Sequence, residues 1–434
     1  MNIIDIIIKK RDGKTLSKEE IDFFIKGVTN GSIADYQTSS MLMAIFINGL
    51  NTEETRNLTN SMTNSGEIYD LSAVKGVKVD KHSTGGVADT TTLILAPLVA
   101  SLGAPVIKMS GRGLGFSGGT IDKLESIPGF NVNISKNDAI RFANKSGIVI
   151  MGQSENLTPA DKKLYSLRDV TGTVDSLPLI VSSIMSKKIA AGADAVVLDV
   201  KCGNGAFMKD YKSARELAVQ MAEIGKSVGK KVTAVISSME QPLGQNIGNS
   251  LEVIEAIETL KGNVKGDLLE VVLTLGAYML INAQKADNEE TARQMLLENI
   301  SNNKGLLKFK ELVSQQGGNA DITENYNIFG TCPYSYEVKS AYSGFISGMD
   351  TAQIGRASVE TGAGRAKKTD SIDYCAGIIL NVRIGDKVNK GDILATVYSS
   401  DEARCRSASN TVAEALKISD EKPETPKLIL DIIR

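Results

Sequence analysis

Val77-Lys78-Val79-Asp80-Lys81-His82-Ser83-Thr84-Gly85-Gly86 begins as an apolar alternation and then breaks into small and polar residues. A period of two predicts a strand over Val77–Asp80, and the Gly pair predicts a turn at its carboxyl end. That end carries His82, the only histidine in 434 residues. An ammonium, an imidazole, two hydroxyls and flexible backbone N–H groups in one short run suit an oxyanion such as phosphate. The imidazole also titrates near neutrality, which makes His82 the first candidate for proton chemistry.

Downstream, short β-rich runs alternate with helical ones: Thr91–Leu102 after the first strand, then Pro105–Ser110, Thr120–Ser126, Ile148–Gly152, Ala195–Val200 and Val232–Ser237. Such alternation predicts an α/β fold with a mainly parallel sheet covered by helices. A further short strand is expected near Asn131–Ile134. Upstream, Ser17-Lys18-Glu19-Glu20 has the form of a capping box before an amphipathic run to about Gly27; a second run covers Gln37–Asn48, and Thr52-Glu53-Glu54 caps a third. Leu157-Thr158-Pro159-Ala160-Asp161 opens another helix, with Thr at the N-cap and Pro in the first turn. Three parts follow: a small all-helical domain from 1–70 with 158–191, a large α/β phosphate-binding domain from 71–157 and 192–316, and a C-terminal β-rich α+β subdomain over 330–434. The last rests on Tyr342–Ile346, Gly377–Val382 and Ile384–Val397, strand-like pieces punctuated by Gly.

Composition removes several classes of function. Lys and Arg total 49 against 51 Asp and Glu, a net charge of −2, so no global field favours nucleic acid or an anionic membrane. There is no Trp and only 5% aromatic residues, which gives little stacking surface for single strands. Cys202, Cys332, Cys375 and Cys405 lie far apart with no C-x-x-C pattern, so reduced thiols and no Cys/His zinc site are expected. The N-terminus lacks the order of a signal peptide, no long apolar run occurs, and a cytoplasmic protein is expected.

A second Gly-rich stretch, Ser110-Gly111-Arg112-Gly113-Leu114-Gly115-Phe116-Ser117-Gly118-Gly119-Thr120, sits between a strand and a helix. Its Gly113-x-Gly115-x-x-Gly118 matches the dinucleotide fingerprint, but the run near Asn131–Ile134 ends without the acidic residue that a ribose needs. Neither Gly13-Lys14-Thr15 nor Gly225-Lys226-Ser227 has the earlier Gly of a phosphate-binding P-loop. Two Gly/Ser/Thr loops at neighbouring strand ends remain, able to face one anion. Lys81, Ser83, Thr92, Ser110 and Thr120 are the candidate phosphate ligands. Tyr165 and Arg168 share a helix face at i, i+3, and Ser183 and Lys187 share one at i, i+4. Such faces are usually solvated, yet Arg, Lys and Ser together also suit a planar, carbonyl-rich group that gains negative charge.

The runs Asp80–Val87, Lys108–Gly115, Gly118–Glu125 and Leu157–Tyr165, in that order, resemble the pyrimidine nucleoside phosphorylases of the thymidine phosphorylase family. The likeness continues through Ser183–Asp194, Gly203–Lys209, Gln241-Pro242-Leu243-Gly244 and Gly362-Ala363-Gly364-Arg365. It implies a helical domain that forms a homodimer interface and hinges against the α/β domain. It also implies reversible phosphorolysis of uridine, deoxyuridine or thymidine to free base and α-pentose-1-phosphate, with no organic cofactor. By the same resemblance, phosphate falls to Lys81, Ser83, Thr92, Ser110 and Thr120, the pyrimidine to Tyr165, Arg168, Ser183 and Lys187, and catalysis to His82, Arg168 and Lys187. Lys108 matches a branch that accepts uridine, where a lysine can donate to the ribose 2′-OH. That branch also holds a monovalent cation, K⁺ or Na⁺, at positions matching Ala88, Thr90, Leu243, Asn246 and Glu255. Ala88 stands where Gly is usual and preserves the site if the backbone there does not need a positive φ. Phe116 and Ser117 replace His and Thr, Asp175 replaces Asn, and Cys202 replaces Thr. The competing readings are a phosphoribosyltransferase of related layout and a catalytically weakened nucleoside-binding relative.

Overall fold

The computed structural model describes residues 1–434 apart from Leu114, Phe116, Ser117, Ala366 and Lys368, so the departures at Phe116 and Ser117 lie outside the described residues. In chain order, α1 (Ile3–Arg11), α2 (Lys18–Asn30), α3 (Asp35–Asn48) and α4 (Thr52–Thr63) come first. They are followed by β1 (Val79–Ser83), α5 (Thr91–Ser101), β2 (Val106–Ser110), α6 (Thr120–Glu125), α7 (Lys136–Ser146), β3 (Ile148–Gly152), α8 (Pro159–Thr171) and α9 (Leu177–Ala190). Next are β4 (Ala195–Cys202), α10 (Tyr211–Ser227), β5 (Lys231–Ser238), β6 (Asn246–Ile247), α11 (Asn249–Leu260), α12 (Asp267–Asn282), α13 (Glu289–Ser301) and α14 (Lys304–Gln315). The C-terminal run is β7 (Tyr334–Lys339), β8 (Gly344–Met349), α15 (Thr351–Glu360), β9 (Gly377–Leu380), β10 (Lys387–Val388), β11 (Ile393–Ser399), α16 (Glu402–Ala415), β12 (Leu416–Ser419) and β13 (Ile429–Ile433). No helix among the described residues is long and apolar enough to cross a membrane.

Two compact units result: Met1–Ala73 with Gln153–Asp194 and Glu216–Val232, and Val74–Gly152 with Ala195–Arg215 and Thr233–Arg434. In the first, the Ser17 hydroxyl accepts from the Glu20 N–H while the Glu20 carboxylate accepts from the Ser17 N–H, starting α2. The same reciprocal box starts α4, but its N-cap is Asn51, not Thr52, because the box needs its acid three residues on and Glu54 is that acid. Phe24, Leu42, Ile45 and Leu58 pack with Leu164 of α8 and Leu179 of α9, so segments far apart in sequence share one core.

In the second unit, the described strands of the main sheet run β13-β5-β4-β1-β2-β3. β1 pairs in parallel with both β2 and β4, and β2 with β3, while the edge strand β13 is antiparallel to its neighbour β5. β1 reaches further than the alternation predicts: the ladder continues through His82↔Leu198 and Ser83↔Asp199, because β4 extends far enough to pair with it. No described residue near Asn131–Ile134 is in a strand; the Asn131 N–H and C=O instead bond the Gln316 carbonyl and side-chain amide. Two small sheets, β10-β8-β12 and β6-β9-β11-β7, build the C-terminal β-rich part. It has its own core of Ile346, Ile378, Val397 and Val412. It shares strands with the α/β part: β6 joins its sheet and β13 returns to the main one.

The expectation of four reduced thiols is corrected at one pair. Cys332 and Cys375, 43 residues apart, form a disulfide with Cα atoms 5.6 Å apart, while Cys202 and Cys405 are free and buried. The turn before β7 and the loop before β9 bring the pair together, which no sequence spacing announces. Asp373 lies beside both sulfurs.

Candidate active site

The candidate phosphate residues belong to the second unit. Ser83 ends β1, Ser110 ends the adjacent β2, and Thr92 and Thr120 lie in the first turns of α5 and α6. Carboxyl ends of parallel strands and amino ends of helices favour negative charge. Alternation along β1 sends Lys81 and Ser83 to one face and His82 to the other.

Lys81 is buried beneath this group. Its ammonium donates to Thr91 Oγ1 at 2.6 Å and pairs with Asp199 at 3.2 Å and Asp89 at 3.5 Å. Burial opposes its charge, but Asp89 and Asp199 outweigh burial and hold the ammonium above its ordinary pKa. Burial likewise opposes the Asp89 carboxylate, yet Lys81, Lys201 and bonds from Ser83 and Thr91 hold it well below the usual range. Asp199, fully buried, also accepts from Ser237 Oγ at 2.7 Å and pairs with Lys201 at 2.8 Å. Two cations and two anions thus share one interior cluster, with Lys81 nearest the loops. Lys108 is buried too, donating to the Lys81 carbonyl and facing Asp80 at 3.5 Å.

The candidate base residues belong to the first unit. Arg168 on α8 is 3% exposed and donates from Nε to the Thr173 carbonyl at 3.2 Å, from Nη1 to Leu179 O at 3.2 Å, and from Nη2 to Val174 O. Three of its five N–H donors therefore brace the segment joining α8 to α9, and two remain. Burial holds its guanidinium below the ordinary pKa. Its Cζ lies 5.8 Å from the Tyr165 ring centroid, within cation–π range. On α9, Lys187 Nζ donates to Ser183 Oγ at 3.0 Å and to Asp161 Oδ2. Asp161 Oδ1 is buried without a hydrogen-bond partner.

Sequence reasoning did not assign roles to Asp89, Asp161 or Asp199. Asp161 lies inside a motif already quoted, four residues before Tyr165, and its position there was the available signal. Asp199 has none, because only the β1–β4 register brings it to Lys81.

Glu255 is buried and accepts from the Gln245 and Asn246 N–H groups, with no ion pair to a described residue; burial pushes its carboxyl up to about 7. At Gly244 a Cβ would meet Glu255 Oε2 at 2.2 Å, so only glycine lets the chain pass. A buried carboxylate with no direct ion pair to a described residue and only Arg383 as a nearby positive charge, with Thr90 Oγ1 and the Ala88, Leu243 and Asn246 carbonyls as neutral oxygens, has the donor chemistry of a hard cation site. The condition set for Ala88 is not met, since its φ is 54°; the residue carries that conformation at a cost of about 1 kcal/mol for a non-glycine residue, and its carbonyl stays in place. Its carbonyl also accepts from the Gly244 N–H at 3.1 Å, and the Leu243 carbonyl accepts from Arg383 at 2.8 Å. Each carbonyl keeps a second lone pair, so the set fits.

The chain thus combines a helical unit with a unit built on a mainly parallel sheet, and its family models are those of glycosyl-transferring enzymes. Residues 4–66 match the glycosyl transferase family helical bundle domain, 75–306 the glycosyl transferase family a/b domain, and 345–419 the pyrimidine nucleoside phosphorylase C-terminal domain. Pyrimidine-nucleoside phosphorylases from Staphylococcus haemolyticus and Bacillus subtilis are 55% and 54% identical, each over 100% of both chains. That of Geobacillus stearothermophilus is 52% identical over the same full span. The chain belongs to the pyrimidine-nucleoside phosphorylase family. The fold is also that of anthranilate phosphoribosyltransferase from Thermus thermophilus, with a TM-score of 0.58 at 18% identity over 71% of this chain and 98% of that one.

Proposed function

We propose that this enzyme catalyses reversible phosphorolysis of uridine, deoxyuridine and thymidine. A phosphate oxygen attacks C1′, the C1′–N1 bond breaks, and its electron pair leaves with the base, which takes up a proton. The observation that carries this reading is the buried Lys81–Asp89–Asp199–Lys201 cluster at the end of β1 that also carries Ser83. The hydroxyls of Ser83, Thr92, Ser110 and Thr120 hold the phosphate and Lys81 supplies a fixed positive charge, so acceleration comes largely from positioning. Lys187 and the two remaining Arg168 donors stabilise charge growing on the base carbonyls. His82 donates to the base at O2 as it departs. Lys108 steadies the strand that carries His82 through the Lys81 carbonyl.

Ala88, Thr90, Leu243, Asn246 and Glu255 would hold a monovalent cation, which supplies charge balance to Glu255 and no part of the chemistry. Replacing choline chloride by KCl at equal ionic strength is expected to raise the melting temperature, and no K⁺-specific rise would remove the site. The activity itself is tested by base release that depends on inorganic phosphate.

A further inference from the structure

Arg365 closes Gly362-Ala363-Gly364-Arg365, a run with no role in the reaction as derived above. Its Nη1 donates to Asp122 Oδ1 at 3.0 Å. Asp122 lies on α6, is 2% exposed, and its Oδ2 accepts from the Gly113 N–H at 2.6 Å. Arg112 Nη1 shares Oδ1 at 3.1 Å, but that side chain is 49% exposed and also bonded to Glu125, so Arg365, at 20%, is the more buried partner. The loop is drawn tight here: a Cβ at Gly119 would meet the Gly113 nitrogen at 2.0 Å. Gly113, Gly119, Asp122 and Arg365 line one cavity of ≈ 30 Å³. The segment bearing Arg365 is itself pinned, since Asn249 Nδ2 donates to the Ala363 carbonyl at 2.7 Å.

We infer that Arg365 is a positioning residue for phosphate: through Asp122 it holds the Gly113 backbone against Gly119, between Ser110 and Thr120, so the C-terminal part sets the enzyme's affinity for inorganic phosphate. This rests on the phosphorolysis reading. A buried carboxylate holding a backbone N–H keeps its place only while its charge is matched. Removing the Arg365 guanidinium leaves Asp122 only the more exposed Arg112, which Glu125 also holds, and so loosens the Asp122–Gly113 bond and with it the spacing of the two hydroxyls.

Arg365→Met is expected to raise KM for phosphate about tenfold, with kcat and the nucleoside KM within about twofold of wild type. Arg365→Lys should recover part of the loss, since an ammonium keeps the charge but not the fork. Inorganic phosphate should also raise the melting temperature of wild type more than that of Arg365→Met, a readout independent of turnover. Asp122→Asn should act in the same sense and serves if Arg365→Met does not fold. An unchanged phosphate KM and phosphate-induced melting shift in these variants, with wild type active, would overturn the role of Arg365 alone. Equal losses in all three kinetic constants would make the role merely structural. A wild type that releases no base with phosphate would overturn the reading beneath it.

Discussion

Asp199→Ala is expected to cost about 3–5 kcal/mol of folding stability, read as a fall in the urea midpoint with an unchanged slope. Asp199 stands between Lys81 at 3.2 Å and Lys201 at 2.8 Å, all three essentially buried. Without it, Lys201 keeps its hydrogen bond to Ser237 but no direct carboxylate partner among the described residues, and Lys81 keeps Asp89 and Thr91. An uncompensated buried charge is far more costly than the pair was favourable, which is why the effect is large. Asp22→Ala, which breaks the exposed pair with Lys18, should leave the midpoint in place. A midpoint for Asp199→Ala equal to wild type would mean that Lys81 is not anchored as described. That result would also remove the fixed charge assigned to Lys81.

Lys187→Ala is expected to lower kcat/KM for the nucleoside by about 10²–10³-fold, the loss seen when one well-placed donor to developing negative charge is removed. KM for phosphate should not move, because the phosphate residues belong to the other unit. Part of any stability loss comes from Asp161, whose Oδ1 is already without a partner and whose Oδ2 loses Lys187. The double variant Asp161→Ala/Lys187→Ala separates the two effects. It should regain stability relative to Lys187→Ala without regaining turnover, as measured by melting temperature and initial rates. Recovery of rate along with stability would make Lys187 a structural partner of Asp161 and nothing more.

The contrast between these variants tracks what the sequence makes legible. Ser17 with Glu20, and the alternation leading into His82, are local: each signal and its structural result lie within a few residues. The places of Ser83 and Ser110 are legible for the same reason, since both sit where a strand gives way to a Gly loop. The acids that hold the cations are not. Asp199 meets Lys81 across a parallel ladder 118 residues away, and Asp161 meets Lys187 across two helices. The strand ending β1 was read short because Gly85 and Gly86 mark a turn, while the length of β4, set elsewhere, decides where pairing stops. Ile429–Ile433 is apolar enough for a strand, but nothing local says that it crosses back to β5. Cys332 and Cys375 are paired by the fold of two loops, so spacing carries no trace of them. Arg365 was visible in a Gly-rich run, and its meaning came only from the carboxylate it meets.

The central claim is most directly tested by ultraviolet detection of free base from uridine and from thymidine, with and without inorganic phosphate, alongside His82→Ala. Phosphate-dependent release from both nucleosides, strongly reduced in His82→Ala, is the result predicted. No release from either nucleoside in the presence of phosphate, or release at the same rate without it, would contradict phosphorolysis by this site.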